Sequence, residues 1–122
     1  RILNQNGKAL SSATVLLVGL TYKKDLNDCR ESPAMEVAEL LRQEGAMLIL
    51  HDPFVDSVVL YGKPHETVPL TDEAIAEADL AIILTDHSSV DYAKLVAHSQ
   101  KVLDTRNATK QIIDTAKKVV LL

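Results

Sequence analysis

The stretch Thr14–Gly19, with the sequence TVLLVG, decides the fold of this chain. It is a short, apolar, β-rich run, as expected of a strand buried on both faces of a parallel sheet. Ser32-Pro33 then favours the start of a helix, since Ser is a good N-cap and Pro suits the first helical position. Gly45 is typical of a helix C-terminus, and Met47–His51 follows as a second apolar run. The order strand, helix, strand predicts a βαβ unit.

The same alternation continues to the end of the chain. It predicts further strands at Val68–Leu70, Leu80–Leu84, Lys101–Asp104 and Val119–Leu122, the first of them very short. It predicts further helices at Thr71–Ala78, Val90–His98 and Ile112–Lys117, and an irregular segment at Phe54–His65. The predicted fold is therefore α/β: a Rossmann-like doubly wound parallel sheet of about six strands, in the order 3-2-1-4-5-6, with helices on both faces.

The composition describes a single domain. The chain has 122 residues, of which 47% are hydrophobic, and this is enough for one buried core. We expect residues 1–12 to be a linker or the end of an upstream helix, and residues 13–122 to be the domain. Because the first residue is Arg1 and not Met, we expect the chain to be a piece of a longer protein.

Charge and cysteine content limit the partners. The net charge is −4 and the Lys and Arg residues are scattered, so we predict neither a nucleic-acid nor a membrane partner. The sequence has no apolar run of about 20 residues and no signal peptide. Cys29 is the single cysteine, which excludes an intrachain disulfide and a zinc cluster and fits the cytoplasm; we predict no metal site.

Polar segments follow three of the predicted strands at their carboxyl ends, where such sheets bind ligands. They contain Lys23, Lys24 and Arg30 after the first strand, Thr85-Asp86-His87-Ser88 after the fourth, and Asp104-Thr105-Arg106-Asn107 after the fifth. Because these ends meet at one edge of the sheet, we predict that the three segments form one site.

The loop after the first strand lacks the dinucleotide fingerprint. A G-x-G-x-x-G turn would bring the backbone close to a pyrophosphate, but only Gly19 is present, and Thr21 and Lys24 stand at the other glycine positions. We therefore predict that this loop does not bind NAD in that way. Its lysines offer point charges for phosphate and Arg30 offers a planar fork. The alternative is a solvated, salt-bridged loop, since acidic residues alternate with these cations.

Three further residues have a chemical and a structural interpretation. His87 could be an acid or a base, but a loop hydrogen bond is the commoner use. Asp52 stands where a dinucleotide fold places its ribose-binding acid; without the glycines we interpret it as a turn former. Cys29 lies beside Arg30, which could lower its pKa, but we interpret it as a plain loop residue.

The stretch Val15-Leu-Leu-Val-Gly19-Leu-Thr-Tyr22-Lys23-Lys24-Asp25, followed by Asp28-Cys-Arg30-Glu31-Ser32-Pro33-Ala34, resembles the opening of the C-terminal domain of UDP-glucose/GDP-mannose dehydrogenases. The segments His51-Asp52-Pro53, Ala78-Asp79, Thr85-Asp86-His87 and Asp104-Thr105-Arg106-Asn107 recur in that family in the same order. The resemblance covers Leu10 to about Lys110. The segments at Thr85 and Asp104 look most like the branch that acts on UDP-N-acetyl-hexosamines.

The resemblance implies a function for the whole enzyme and a part for this chain. The enzyme would oxidise the C6 alcohol of a UDP-sugar to a carboxylate in two NAD-dependent steps. An N-terminal domain would hold NAD, a central domain would form a homodimer or larger assembly, and this domain would hold UDP. Tyr22, Lys23 and Arg106 correspond to substrate contacts and Arg30 to an NAD contact. The catalytic cysteine would lie upstream, so we expect no catalytic residue here, and Cys29 does not match it.

Two other classes of protein could share this predicted fold. A stand-alone NAD-binding or regulatory Rossmann module would have its glycines after the first strand. A phosphorylated receiver-type domain would need a carboxylate at the end of its third strand and a Lys after its fifth, where Arg106 stands.

Overall fold

The computed structural model describes residues 10–30 and 32–122. Its strands and α-helices follow in the order β1 (Thr14–Val18), α1 (Pro33–Gln43), β2 (Met47–His51), β3 (Ser57–Leu60), β4 (Lys63–Glu66), α2 (Asp72–Glu77), β5 (Leu80–Ile83), α3 (Tyr92–His98), β6 (Val102–Asp104) and β7 (Val119–Leu121). Leu10–Ser12 form a short 3₁₀ turn. The rest of the predicted linker, residues 1–9, lies outside the described residues.

The main sheet is parallel and has the strand order β2-β1-β5-β6-β7. β1 lies inside it, and Val15 pairs with Leu48 of β2 on one side and with Leu80 of β5 on the other. Residues Val15–Val18 are fully buried. Alternate side chains of β1 pack on opposite faces, one against α1 and β3, the other against α2 and α3. This confirms the predicted α/β class, with helices on both faces of a doubly wound sheet.

Local capping residues set the helix boundaries. The Ser32 hydroxyl accepts a hydrogen bond from the Ala34 N–H at 3.2 Å, with Pro33 at the first helical position. Gly45, with φ of +92°, follows the end of α1. Thr71 caps α2 by accepting the Ala74 N–H at 3.1 Å. α3 begins later than predicted, because Asp91 is its N-cap and accepts the Lys94 N–H at 3.0 Å.

The predicted third strand at Val68–Leu70 is wrong, and the main sheet has five strands instead of six. The Val68 N–H donates to Leu50 O of β2 at 2.8 Å, and the His51 ring bonds the Val68 carbonyl at 2.8 Å. The next residue, Pro69, has no N–H to extend a ladder. The segment therefore touches the edge of the sheet without joining it.

The segment predicted as irregular contains an antiparallel hairpin of β3 and β4. Tyr61 and Gly62 form its turn, and both have positive φ, 51° and 76°. Two left-handed residues match the twist of paired strands. Pro64 is tolerated because β4 has β3 as its only partner in this two-stranded sheet.

The helix predicted at Ile112–Lys117 is also wrong, since this segment is a series of turns. The Asp114 carboxylate accepts the N–H groups of Lys118 and Val119 at 2.9 and 2.8 Å. Lys117 has φ of +56°, and the Ile113 side chain is exposed. Local side-chain bonds of this kind compete with helix formation.

Candidate functional site

A cavity of about 460 Å³ opens at the carboxyl edge of the sheet. Loops after β1, β5 and β6 form it, and its lining residues are Tyr22, Lys23, Lys24, Asp25, Leu26, Thr85, Asp86 and Arg106. The chain crosses from one side of β1 to the other between β2 and β5, so this is the switch point where α/β sheets bind ligands. The structure thus brings Tyr22, Lys23 and Arg106 to one cavity. Arg30 does not line it.

A smaller cavity of about 300 Å³ lies alongside. It shares Lys24, Asp86 and Arg106 with the first and adds Asn107 and Lys110, among others. Sequence reasoning placed these segments at the edge but gave no part to Asp86 or Lys110. Their positions in the chain could have indicated both residues, since Asp86 comes just after β5 and Lys110 lies in the loop after β6.

The ends of β1 and β5 approach each other closely, and Gly19 makes this possible. It has φ of +91°, and a Cβ there would lie 2.5 Å from the Thr85 carbonyl oxygen. Its N–H donates to His51 O of β2 at 2.9 Å. The Thr85 hydroxyl donates to Thr21 O at 2.8 Å, which ties the two loops together.

The two predicted phosphate-binding cations of the cavity, Arg106 and Lys23, have different contacts within the protein. The Arg106 Nε donates to Leu84 O at 2.9 Å, which uses one of its five N–H donors. The Lys23 ammonium lies 5.9 Å from the centre of the Tyr22 ring, within reach of a cation–π contact. Both Lys23 and Arg106 are exposed, so their charges are available to an anion in solvent.

Asp104 organises the loop that carries Arg106. This buried carboxylate accepts the N–H groups of Arg106, Ala108 and Thr109 at 2.9–3.1 Å and the Thr109 hydroxyl at 2.6 Å. Burial alone would raise the pKa of Asp104, but the bonds from Thr109, Ala108 and Arg106 together hold it below its ordinary value. A charged Asp104 therefore fixes the backbone of Arg106 against the end of β6.

Asp25 ties the loop after β1 to the loop after β5. Its carboxylate accepts the Ser88 N–H and the Ser88 hydroxyl, both at 2.7 Å. These two bonds, the backbone one first, lower the pKa of Asp25. Asp25 also has φ of +60°, a left-handed conformation that Asp adopts more readily than most L-residues. The two bonds to Ser88 hold the residue in this conformation.

His87 is fully buried between three loops. Its Nδ1 accepts the Asp25 N–H at 2.7 Å, and its Nε2 lies 2.9 Å from Asp52 Oδ2 and 3.1 Å from Thr21 Oγ1. The Phe54 ring lies against it, with centroids 4.8 Å apart. This geometry confirms the interpretation of His87 as a loop hydrogen-bonding residue.

Asp52 is a turn former, as interpreted from the sequence, since it accepts the Phe54 N–H at 2.8 Å. Its other oxygen accepts the Leu20 N–H at 2.7 Å as well as the His87 contact. In a dinucleotide fold the loop containing Leu20 would face the pyrophosphate. Here an internal carboxylate takes that N–H, so the residues do not fit NAD in that position.

Arg30 and Cys29 lie on the outer part of the same loop. The Arg30 guanidinium bonds both oxygens of Asp28 at 3.0 Å, and its side chain is 88% exposed. Arg30 also lowers the pKa of Asp28. In this structure Arg30 is thus paired with a neighbouring carboxylate of its own loop, and its contact with NAD stays a prediction. Burial, followed by the charges of Asp52 and Asp28, raises the pKa of Cys29, which fits a plain loop residue and not a reactive thiol.

Two other features bear on the class of ligand. Among the described residues, no three His, Cys, Asp or Glu side chains are grouped to hold a metal ion. In the same part of the chain no helix is long and apolar enough to cross a membrane.

A doubly wound sheet with a cation-lined cavity at its switch point defines an α/β domain of the nucleotide-binding class. Residues 16–111 match the UDP binding domain of the UDP-glucose/GDP-mannose dehydrogenase family, and the chain belongs to that family. It spans about a fifth to a quarter of the length of the relatives and the structure described next.

The relatives are dehydrogenases of nucleotide sugars. UDP-N-acetyl-D-mannosamine dehydrogenase of Escherichia coli K12 is 33% identical over 114 residues, which is 92% of this chain and 24% of the relative. UDP-glucose 6-dehydrogenase TuaD of Bacillus subtilis is 29% identical over 72% of this chain and 20% of the relative. The structure of an NDP-N-acetyl-D-galactosaminuronic acid dehydrogenase from Methanosarcina mazei is 26% identical, with a TM-score of 0.76 over 98% of this chain and 26% of that one.

Proposed function

We propose that this chain is the C-terminal UDP-binding domain of an NAD-dependent UDP-sugar 6-dehydrogenase. The longer enzyme would oxidise the C6 alcohol of the sugar to a carboxylate. The observation that carries the proposal is that the neighbours Tyr22 and Lys23 line one cavity at the switch point of the sheet together with Arg106, which lies far along the chain. Since several relatives act on UDP-N-acetyl-D-mannosamine by name, a UDP-N-acetyl-hexosamine is the proposed substrate.

Each residue has a part in holding the nucleotide. Lys23 supplies a compact positive charge, and Arg106 supplies a planar fork, for the two phosphates. Tyr22 supplies an aromatic face beside them. Asp25 lines the same cavity, but its carboxylate is bonded to Ser88, which reduces its repulsion of a phosphate.

The remaining parts of the enzyme would come from outside this chain. Arg30 is the proposed contact to NAD, which a preceding domain would hold. NAD supplies the hydride acceptor when it is bound there. The cavity is formed by three loops of one domain, while ligand pockets commonly bury about 70–90% of their ligand. The domain alone should therefore bind UDP weakly, with a Kd on the order of millimolar or higher.

The competing function is that of a stand-alone NAD-binding or regulatory module. The Leu20 N–H is bonded to Asp52, which argues against it. Titration of the ¹⁵N-labelled chain with UDP and with NAD distinguishes the two. UDP should shift the signals of the cavity residues, NAD should not bind tightly, and no NADH should form from a UDP-sugar. Tight NAD binding or NADH production would overturn the proposal.

Lys23→Ala tests the site itself. Loss of a charge-assisted contact costs about 1.5–3 kcal/mol, or roughly a ten- to hundredfold weaker affinity for UDP. In the longer enzyme the same change should raise the KM for the UDP-sugar. Lys63→Ala, in exposed β4, removes the same charge far along the chain from the cavity loops and should leave the affinity unchanged. Equal affinities of Lys23→Ala and the wild type would mean that Lys23 belongs to a solvated loop.

A further inference from the structure

We infer that His87 is a positioning residue, whose neutral imidazole holds the loop that presents Lys23 and so sets the affinity of the cavity for its anionic ligand. The identity of that ligand, UDP, rests on the proposed function. The tautomer of His87 and the order of the loop do not depend on the proposed function. We call residues 21–28 the Lys23 loop; the hydrogen bond from Tyr22 N–H to Asp28 O, at 2.8 Å, closes it.

The hydrogen bonds determine the tautomer of His87. A backbone N–H can only donate, so the 2.7 Å contact from Asp25 N requires an unprotonated Nδ1. The imidazole hydrogen must then be on Nε2. There it faces Asp52 Oδ2 at 2.9 Å, with Thr21 Oγ1 at 3.1 Å. Thr21 donates its own hydrogen to Lys23 O at 2.7 Å. A single arrangement, with hydrogen on Nε2, satisfies every group.

The same bonds fix Lys23 from both sides. The Thr21 hydroxyl holds the Lys23 carbonyl, and two residues later the Asp25 N–H is held by His87 Nδ1. Asp25 has a left-handed backbone and keeps it while its N–H and its carboxylate are both bonded. His87 has no exposed surface and is not among the residues that line the larger cavity, although it lies behind the smaller one. We therefore expect its effect on affinity to pass through this loop.

Two substitutions separate the two ring nitrogens. In His87→Asn the amide oxygen can take the place of Nδ1 and accept the Asp25 N–H. In His87→Gln the longer amide can take the place of Nε2 and keep the contact with Asp52, but it leaves Asp25 without its acceptor. Both variants lose the ring and its contact with Phe54. A purely structural role would therefore affect them alike.

The experiment begins with the wild-type chain and needs no ligand. Imidazole ¹⁵N NMR should show a hydrogen on Nε2 and a bare Nδ1, and hydrogen exchange should show a protected Asp25 amide. His87→Gln should exchange this amide at least about fivefold faster than His87→Asn, as expected for one lost hydrogen bond. Its affinity for UDP should be lower than that of His87→Asn by a similar factor. Unfolding measurements on both variants correct for any difference in stability.

Three results would overturn the inference. They are a hydrogen on Nδ1 in the wild type, equal exchange at Asp25 in the two variants, and faster exchange without any change in UDP affinity. If neither variant folds, the tautomer of His87 and the protection of the Asp25 amide in the wild type decide whether the inference holds. A wild-type chain that binds no UDP would count against the proposed function, while the tautomer and exchange data would still decide the inference about the loop.

Discussion

Replacement of Gly19 by Ala should destabilise the domain more than any ordinary glycine substitution. Gly19 directly follows β1 and has φ of +91°, and an added Cβ would lie 2.5 Å from Thr85 O and 2.6 Å from Thr85 N and Cβ. Two of these three atoms belong to the backbone after β5, which cannot rotate aside as a flexible side chain can. The methyl group must therefore push apart the two strand ends that form the cavity.

The magnitude has two parts. The positive φ costs an L-residue about 1–2 kcal/mol, and forcing a methyl group into a packed position costs about 1–3 kcal/mol. The free energy of unfolding should thus fall by roughly 2–5 kcal/mol, a large part of the ~5–15 kcal/mol of a typical domain. UDP affinity should fall as well, since the loop that begins at Gly19 carries Tyr22 and Lys23.

Urea unfolding measures the first quantity, and Gly62→Ala is the matched control. Gly62 also has positive φ, at +76°, but no atom lies within 4 Å of its added Cβ. The control should therefore lose only the backbone part, about 1–2 kcal/mol. If both variants lose the same free energy, contact with Thr85 contributes nothing, and the close approach of β1 to β5 is not what requires glycine.

Three further outcomes are expected. In the proposed longer enzyme, Arg30→Ala should raise the KM for NAD more than the KM for the sugar nucleotide, and the reverse ranking in steady-state kinetics would refute the assignment. Asp104→Asn should lower the free energy of unfolding by about 1.5–3 kcal/mol at pH 7. The pKa of Asp104 is lower in the folded chain than in the unfolded chain. Its stabilising contribution is therefore complete above the unfolded-state pKa and is lost as the pH falls through the folded-state pKa. The difference in free energy of unfolding between the variant and the wild type should narrow below about pH 4. A gap that stays constant in acid would mean that the charge of Asp104 is unimportant. Cys29, whose pKa is raised by burial, should react with iodoacetamide more slowly at pH 7 in the folded chain than in urea, and equal rates would contradict its burial.

The regular elements could be predicted where one residue determines local geometry. Ser32-Pro33, Gly45 and Thr71 mark helix ends through their own backbone and side chains, and the structure has caps at each. The errors arose where two local signals conflict. Val68 and Leu70 are apolar, but Pro69 between them prevents a ladder. Gly62 suggested a loop, yet with Tyr61 it forms the turn of a hairpin.

The site was predictable in place but not in its internal bonds. The carboxyl ends of parallel strands meet whatever their side chains, so the grouping of Lys23 with Arg106 follows from topology. The contact of His87 with Asp25 and Asp52 joins residues 62 and 35 positions apart. No local pattern encodes such a distance. The roles of Lys23 and Arg106 in ligand binding stay predictions until UDP is titrated.

The bond between the Asp52 carboxylate and the Leu20 N–H also competes with any external acceptor for that N–H. The Asp52 oxygen lies 2.7 Å from the Leu20 nitrogen, and because it is part of the folded chain it occupies that N–H without having to bind from solution. To bond that N–H, a dinucleotide phosphate would have to displace the Asp52 carboxylate, whose two oxygens also serve the Phe54 N–H and the His87 Nε2–H. A dinucleotide phosphate would therefore meet an N–H group that is already occupied from within the chain. The outer cavity, where Lys23 and Arg106 are exposed, is the part of this edge that is open to an anion.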